Sequence, residues 1–142
     1  MTKLAYLLAM GVLLPATPAM AGGFVGFQSP SGNIHCDAHD GGNDGGRVME
    51  CEVLEMVSSR PVLPKPGDCD LEWGGRFVLP EQGRANLLCY GDTLRNADHP
   101  VLAYGKSRVE GAITCSSSET GMTCTNADGH GFSLSRGRQR VF

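Results

Sequence analysis

The sequence predicts an all-β protein, a small disulfide-stabilised antiparallel sandwich or partly open barrel of short strands. Three observations predict this class. Twenty glycines and eight prolines interrupt the 142 residues, and the apolar runs between them are short and bounded by turn-forming residues. No apolar pattern keeps the helical period over several turns. The one helix-like window, residues 52–59, stops at Arg60-Pro61 because proline cannot continue a helix.

Residues 1–21 have the pattern of an export signal. Lys3 supplies the basic start, Leu4–Leu14 is a short apolar run, and Ala19-Met20-Ala21 matches a small-x-small cleavage site. The apolar run is too short to anchor the protein in a bilayer. We therefore expect a periplasmic or secreted protein without a transmembrane segment after signal removal. Residues 22–142 are expected to form a single disulfide-bonded β domain.

Ten segments have the composition and the boundaries of strands. In segment 47–54 three apolar side chains alternate with Glu50 and Glu52, which predicts that the carboxylates point to solvent. The segment 61–67 is rich in proline and is expected to be an extended connector. The ten predicted strands are residues 24–27, 33–36, 47–54, 76–79, 85–90, 101–104, 112–116, 122–126, 131–135 and 138–142.

The six cysteines are an even number and contain no C-x-x-C motif, which in an exported chain favours disulfides over a redox or zinc site. Spacing alone leaves several connectivities open. Local symmetry favours sequential pairing, because two of the pairs flank turn-forming tips and the third pair is what remains. The favoured bridges are Cys36–Cys51, Cys69–Cys89 and Cys115–Cys124.

The last of these bridges is the most firmly predicted. A hairpin folded about Glu119-Thr120 puts Cys115 opposite Cys124, close enough to bridge. Asp128-Gly129 predicts a second hairpin turn, because glycine accepts the positive φ that such turns need. Phe132 in the following strand is expected to lie in the core.

Seven residues are candidates for ligand binding. Hairpin geometry explains the neighbouring residues but does not explain why a histidine occupies position 130. The turn at Asn126–Phe132 is therefore the first place to look for a binding site. Trp73 precedes two glycines that would leave its ring open for stacking, although a core position explains it equally well. Three C-terminal arginines alternate onto one predicted strand face, where they bind an anionic polymer or protect an edge strand from pairing. The candidates are Asn126, Asp128, His130, Trp73, Arg136, Arg138 and Arg140.

No catalytic residue, metal ligand or cofactor is predicted. Asp128, His130 and Ser133 are the residue types of a hydrolytic triad, but the sequence has no G-x-S-x-G elbow. The spacing of the four histidines does not indicate zinc. The oxygen-rich segment 37–44 matches no calcium-binding register, so turn geometry explains its glycines better than calcium does. A net charge of −3 gives no general attraction to nucleic acid.

Several segments in a fairly specific order resemble DUF6636, a family of small exported bacterial proteins of unknown function. The resemblance implies a secreted or periplasmic disulfide-bonded β domain and carries over no catalytic residue. The matching segments are FQSPSGNIHC at 27–36, CYGD at 89–92, VLAYG at 101–105, the hairpin from Cys115 through Gly121 to Cys124-Thr-Asn126, GHGF at 129–132 and LSR at 134–136.

We therefore expect a monomeric, non-enzymatic binding module whose partner is a surface polymer or another envelope protein. One alternative is a small hydrolase of a cell-wall or extracellular polymer, with His130 or a pair of carboxylates at the base of a cleft. Another is a secreted inhibitor or protective protein that inserts the Glu119-Thr120 tip or the tip at 41–46 into a target enzyme.

Overall fold

The computed structural model describes residues 25–41 and 45–142. Within these ranges the chain forms ten strands and no helix, so it contains no helix that spans a membrane. The predicted export signal lies outside the described residues, as do residues 42–44 of the glycine-rich tip. In chain order the strands are β1 (Val25–Gln28), β2 (Ile34–Asp40), β3 (Arg47–Val53), β4 (Arg76–Pro80), β5 (Asn86–Leu87), β6 (Ser107–Glu110), β7 (Ile113–Ser118), β8 (Gly121–Thr125), β9 (Gly131–Leu134) and β10 (Gln139–Val141).

The strands form two five-stranded sheets that pack face to face. The order in the first sheet is β1-β2-β3-β4-β5 and in the second β10-β9-β8-β7-β6. Every pairing is antiparallel. The predicted all-β class is confirmed, and of the two architectures it is the sandwich, because the sheets do not close into a barrel.

The three sequential disulfides are confirmed. Cys36 lies opposite Cys51 on β2 and β3, and Cys115 lies opposite Cys124 on β7 and β8. All four of these cysteines are fully buried between the sheets. The third bridge, Cys69–Cys89, ties the long connector after β3 to the segment that follows β5.

The core lies between the sheets and is built from the inward residues of alternating strands. Phe77 of the first sheet and Phe132 of the second meet with ring centroids 5.8 Å apart. Both rings are fully buried, which confirms the core position predicted for Phe132. Met49, Leu79 and Met122 fill the space around them.

One predicted strand is wrong and one strand was not predicted. Residues 101–104 form only an isolated bridge between Val101 and Gln28. The edge strand is instead β6, whose Arg108 and Glu110 are half-buried and ion-paired at 2.8 Å. Charged residues on the covered side of a strand remove the apolar alternation by which strands are recognised. The predicted strand at 85–90 also shortens, to β5.

The prediction that Glu52 points to solvent is wrong. Glu52 does lie on the outer face of the first sheet, but it is only 5% exposed. A segment of irregular backbone, residues 92–102, crosses that face and covers it; we call it the cover segment. Its Thr93 Oγ donates to Glu52 Oε2 at 3.0 Å. Strand alternation predicted the face correctly but carries no information about what covers it.

Candidate functional site

Asn126, a predicted binding residue, joins the two sheets at one end of the sandwich. Its Nδ2 donates to the carbonyl oxygens of Pro80, the last residue of β4, at 2.9 Å and of Gly83, in the loop that follows, at 2.7 Å. Its Oδ1 accepts from the backbone amides of Asp128 and His130, both at 3.1 Å. The residue is 8% exposed. Its side chain thus makes the four hydrogen bonds that an amide group can make, so its role is structural.

Two carboxylates complete the connection between the sheets at this end. Asp128 Oδ2 accepts from the backbone amide of Gly83 at 2.6 Å. Glu81 Oε1 accepts from the amide of Ala112 at 2.7 Å, so each sheet provides one carboxylate to the other. Hydrogen bonds of this charge-assisted kind are among the stronger ones in proteins. We call this region, residues 80–83, 111–112 and 126–130, the linked end.

His130 also lies at the linked end. Its amide is held by Asn126, and its Nδ1 lies 3.3 Å from the carbonyl oxygen of Phe142. The backbone of the next residue, Gly131, pairs with Phe142 in both directions at 2.9 Å. The turn at residues 126–130, which the sequence singled out, therefore holds the C-terminal residue and the first sheet in place.

The opposite end of the sandwich, which we call the open end, contains a cleft of about 1020 Å³. Six segments form its walls: the β1–β2 turn, the residues after β3, the start of the cover segment, Tyr104 before β6, the β7–β8 turn and the β9–β10 turn. Its polar side chains include Ser31, Asn33, Glu55, Thr93, Arg95, Tyr104, Glu119, Thr120 and Arg136.

The cleft has the groups of a polar binding site. Tyr104 is 47% exposed, so part of its ring is open to a ligand. The guanidinium of Arg95 has no hydrogen-bond partner in the described part of the chain. Ser118 and Thr120 contact each other through their hydroxyls at 2.9 Å and remain exposed. An exposed aromatic ring beside hydroxyl and guanidinium groups suits a ligand with both a flat apolar face and many hydroxyls.

Arg136 is the one predicted binding residue that lines the cleft. Its guanidinium pairs with Glu55 at 2.7 Å, and both side chains are 67% exposed. Glu55 is positioned by Asn33, whose Nδ2 donates to its carbonyl oxygen at 3.0 Å and whose Oδ1 accepts from its amide at 2.8 Å. A ligand that enters the cleft therefore meets a solvated ion pair that can open without loss of the fold.

The other predicted binding residues lie elsewhere. Trp73 packs against the core, and its Nε1 donates to the carbonyl oxygen of Leu63 at 3.0 Å, which makes it a core anchor. Arg136 is in the β9–β10 turn, so the three arginines do not share one strand face. Of the three, Arg140 alone lies within β10, with its Cζ 4.8 Å from the ring centroid of Phe142.

A charged network occupies the outer face of the first sheet. Arg76 pairs with Glu52 at 3.3 Å and with Glu50 at 3.6 Å, and its Cζ lies 4.7 Å from the ring centroid of Tyr90. It also donates to the carbonyl oxygen of Asp92. Burial and the neighbouring Glu52 raise the pKa of Tyr90 above its usual value. This network attaches the beginning of the cover segment to β3 and β4.

Asp37 and Asp40, of the segment weighed for calcium, each have a side-chain partner within the chain. Asp37 lies 3.2 Å from His99 Nε2, and Asp40 accepts from Arg47 at 2.9 Å. The rest of the tip, residues 42–44, is outside the described residues. Among the described residues, no group of three or more His, Cys, Asp or Glu side chains is arranged to hold a metal ion.

Comparison with known proteins places almost the whole chain in one family. The model of a family of unknown function, DUF6636, matches residues 5–142. No curated protein and no solved structure matches the chain. The resemblance inferred from the sequence motifs is confirmed.

Proposed function

The chain belongs to the DUF6636 family, whose function is unknown, and we propose that it is a non-enzymatic binding module that holds a segment of a polysaccharide in the cleft of the open end. The cleft carries this proposal. Its volume of about 1020 Å³ is at the upper end of ligand sites. Its lining of hydroxyls, an amide and a half-exposed tyrosine resembles the hydrogen-bonding and stacking surface that a sugar chain needs.

The cellular location is part of the proposal. The three disulfides indicate an oxidising compartment outside the cytosol. We propose the periplasm or the extracellular space, which the export signal predicted at residues 1–21 supports. Polysaccharides of the envelope and the surrounding medium are abundant in both places. A cleft open to solvent at one end of the domain suits an internal segment of a long polymer.

The test is titration of the folded, disulfide-bonded protein with two tetrasaccharides, one of N-acetylglucosamine and one of galacturonic acid. Amide chemical shifts are expected to move for Asn33, Arg95, Tyr104 and the β7–β8 turn, and to stay constant at the linked end. The neutral and acidic sugars separate stacking from recognition by the guanidinium of Arg95. Shifts confined to the linked end, or no shift with either sugar, would overturn the proposal.

A matched pair of arginine variants makes this test sharper. Arg95 lines the cleft, whereas Arg138 is exposed outside it. Arg95→Ala is expected to weaken binding of the acidic tetrasaccharide about tenfold, as for loss of a charge-assisted hydrogen bond. Arg138→Ala removes the same charge and is expected to leave the affinity unchanged. Equal losses in both variants would indicate general electrostatic attraction instead of a site.

The hydrolase alternative now rests on carboxylates alone. His130 does not line the cleft, but Glu55 and Glu119 both do. Two carboxylates flanking a sugar are the requirement of most glycoside hydrolases. If the protein released shorter sugars from either tetrasaccharide and Glu119→Gln abolished this release, the protein would be a hydrolase and not only a binding module. We expect both sugars to be recovered intact.

A further inference from the structure

The cover segment, residues 92–102, is both a wall of the cleft and a strap across the first sheet. Thr93 and Arg95 line the cleft at its beginning. The segment then runs over β3, β2 and β1 and ends beside Gln28, which bonds it through four contacts of 2.7 to 3.4 Å. Its hydrogen bonds and ion pairs to the sheet come from side chains and backbone of β3, β2 and β1, while Leu102 at its far end packs against the core.

The two ends of the segment are held by Glu52 on β3 and Gln28 on β1. At the beginning, Glu52 Oε2 accepts from the Leu94 amide at 2.5 Å and from the Thr93 hydroxyl at 3.0 Å. At the far end, Gln28 Nε2 donates to the carbonyl oxygen of His99 at 2.7 Å. The amide of Gln28 does not titrate, and the carboxylate of Glu52 is also ion-paired with Arg76 at 3.3 Å.

The middle of the segment is held by an imidazole. His35 Nδ1 lies 3.4 Å from the amide nitrogen of Asn96, and His35 Nε2 lies 3.1 Å from the carbonyl oxygen of Gly32. Because the amide can only donate and the carbonyl can only accept, these partners select the neutral tautomer with its proton on Nε2. Gly32 lines the cleft. One buried imidazole therefore connects two walls of the cleft.

A second imidazole, that of His99 on the cover segment, lies beside His35 and Asp37. The ring centroids of His35 and His99 are 5.7 Å apart, and His99 Nε2 lies 3.2 Å from Asp37 Oδ1. His99 Nδ1 is buried without a hydrogen-bond partner among the described residues. A Cβ at Gly26 would collide with both His99 Nε2 and Asp37 Oδ1, so the absence of a side chain there makes room for the pair.

The electrostatic surroundings favour the neutral ring of His35 at neutral pH. Burial lowers its pKa from 6.5, the carbonyl of Gly32 opposes this, and His99 lowers it further. The titratable and charged groups around it are Asp37 and His39 on β2, Glu50 and Glu52 on β3, Arg76 on β4, and Arg95 and His99 on the cover segment. The neighbour on β1, Gln28, is uncharged.

We propose that the cover segment is an acid-released wall of the cleft. A proton from solvent binds His35 Nδ1, replaces the acceptor of the Asn96 amide with a second donor, and detaches the middle of the segment. The contacts to Glu52 and Gln28 keep its ends in place, so the wall loosens without leaving the sheet. As a regulator of binding, this device rests on the proposed function; the detachment itself does not.

The thermodynamic sign agrees with release in acid. The lowered pKa means that His35 takes up a proton less readily with the segment attached than with it detached. Attachment is therefore strongest above about pH 6.5 and weakens as the pH falls from there through the lowered pKa. Burial raises the pKa of Asp37 above 3.8, and protonation there removes the negative charge that attracts His99.

The first experiment needs no ligand. Hydrogen exchange of the backbone amides is measured between about pH 7.5 and pH 5 and corrected for intrinsic exchange, while imidazole NMR signals report the titration of each histidine. Protection of the Asn96 amide is expected to fall at least about tenfold as His35 titrates, and that of Leu94 to persist. Continued protection of Asn96 across the titration of His35 would overturn the proposal.

Two variants separate His35 from general acid effects. His35→Gln keeps a polar side chain that does not titrate, so protection of Asn96 is expected to become independent of pH. His130→Gln alters a partly exposed histidine of the linked end and is expected to leave the wild-type pH dependence intact. Should His35→Gln fail to fold, coincidence of the two titrations in the wild-type protein decides the question.

The binding arm uses the N-acetylglucosamine tetrasaccharide at the same pH values. Its apparent affinity is expected to fall in proportion to the fraction of attached wall, about tenfold at the acid end if nine-tenths of the molecules have released it. If the sugar does not bind at any pH, the proposed function is wrong. The hydrogen exchange of the Asn96 amide then decides by itself whether acid releases the cover segment. Binding that is unchanged while Asn96 is released would show that the wall does not regulate the site.

Discussion

The linked end and the open end of the sandwich are built from similar residues and behave as opposites. At the linked end the Asn126 side chain donates to two backbone carbonyls and accepts from two backbone amides, and two carboxylates bridge the sheets. At the open end Asn33 fixes only the residue beside it in space, and the ion pair of Glu55 with Arg136 is solvated. Polar side chains become structural where backbone from the other sheet reaches them, and stay open to ligand where it does not.

The largest effect is expected from reduction of the three disulfides, which stabilise the whole sandwich and therefore both of its ends. Each disulfide contributes about 2–4 kcal/mol, so loss of all three approaches the total stability of a typical domain, about 5–15 kcal/mol. Complete reduction is expected to unfold both ends together, seen as loss of amide dispersion by NMR and of the thermal transition. A folded spectrum with six titratable thiols would show that the sheets hold without bridges.

A matched pair of asparagine variants tests the comparison directly. Asn126→Ala leaves two carbonyls and two amides without their partner in a buried site and is expected to lower the free energy of unfolding by about 3 kcal/mol. Asn33→Ala removes two hydrogen bonds in a solvated site and is expected to cost less than about 1 kcal/mol. Urea denaturation measures both.

The reverse order of these two costs would break the comparison, since it would place the main fastening of the sheets at the open end. The slope of the denaturation curve serves as the control. An unchanged slope shows that each variant unfolds from the same compact state.

The last comparison concerns two charged side chains, one at the open end and one beside the linked end, and the first of them is expected to give the smallest effect. Arg136→Gln breaks a pair whose side chains are both 67% exposed, and we expect a change within about 0.5 kcal/mol. Glu110→Gln affects contacts to Arg108 and Arg47 by a side chain 15% exposed, and we expect a loss above about 1 kcal/mol. Thermal denaturation at low and high salt checks both, since salt screens exposed pairs more strongly. Similar losses in the two variants would remove the distinction.

The local part of this fold was predictable because its pairings are local. Glycine and proline punctuation located most strands, and the hairpin through Cys115 and Cys124 follows from alternation and turn chemistry alone. The strand β6 was missed because Arg108 and Glu110 face inward as an ion pair. The burial of Glu52 was not predicted because the cover segment, about forty residues later in the chain, lies over it.

Most of the site could not be predicted from the sequence either, because it also depends on contacts between distant segments. Asn126, Asp128 and His130 attracted attention as polar residues in one turn, yet Asn126 and Asp128 bond to backbone of the loop after β4, and His130 contacts the carbonyl oxygen of Phe142. The cleft collects residues from six segments; Arg136 was the one predicted ligand-binding residue among them, and the Glu119-Thr120 tip was singled out only for insertion into a target enzyme. No local pattern marks Arg95, because its position in the cleft exists only after the sheets have packed.

The sequential disulfides have a consequence for how the protein is made. Cysteines join in the order in which they occur, with separations of 15, 20 and 9 residues and no bridge that crosses or encloses another. A chain that emerges from its amino end into an oxidising compartment forms each correct bridge simply by oxidising the two cysteines most recently exposed. Correct maturation then needs an oxidant but no isomerase, since no bridge has to be broken and exchanged.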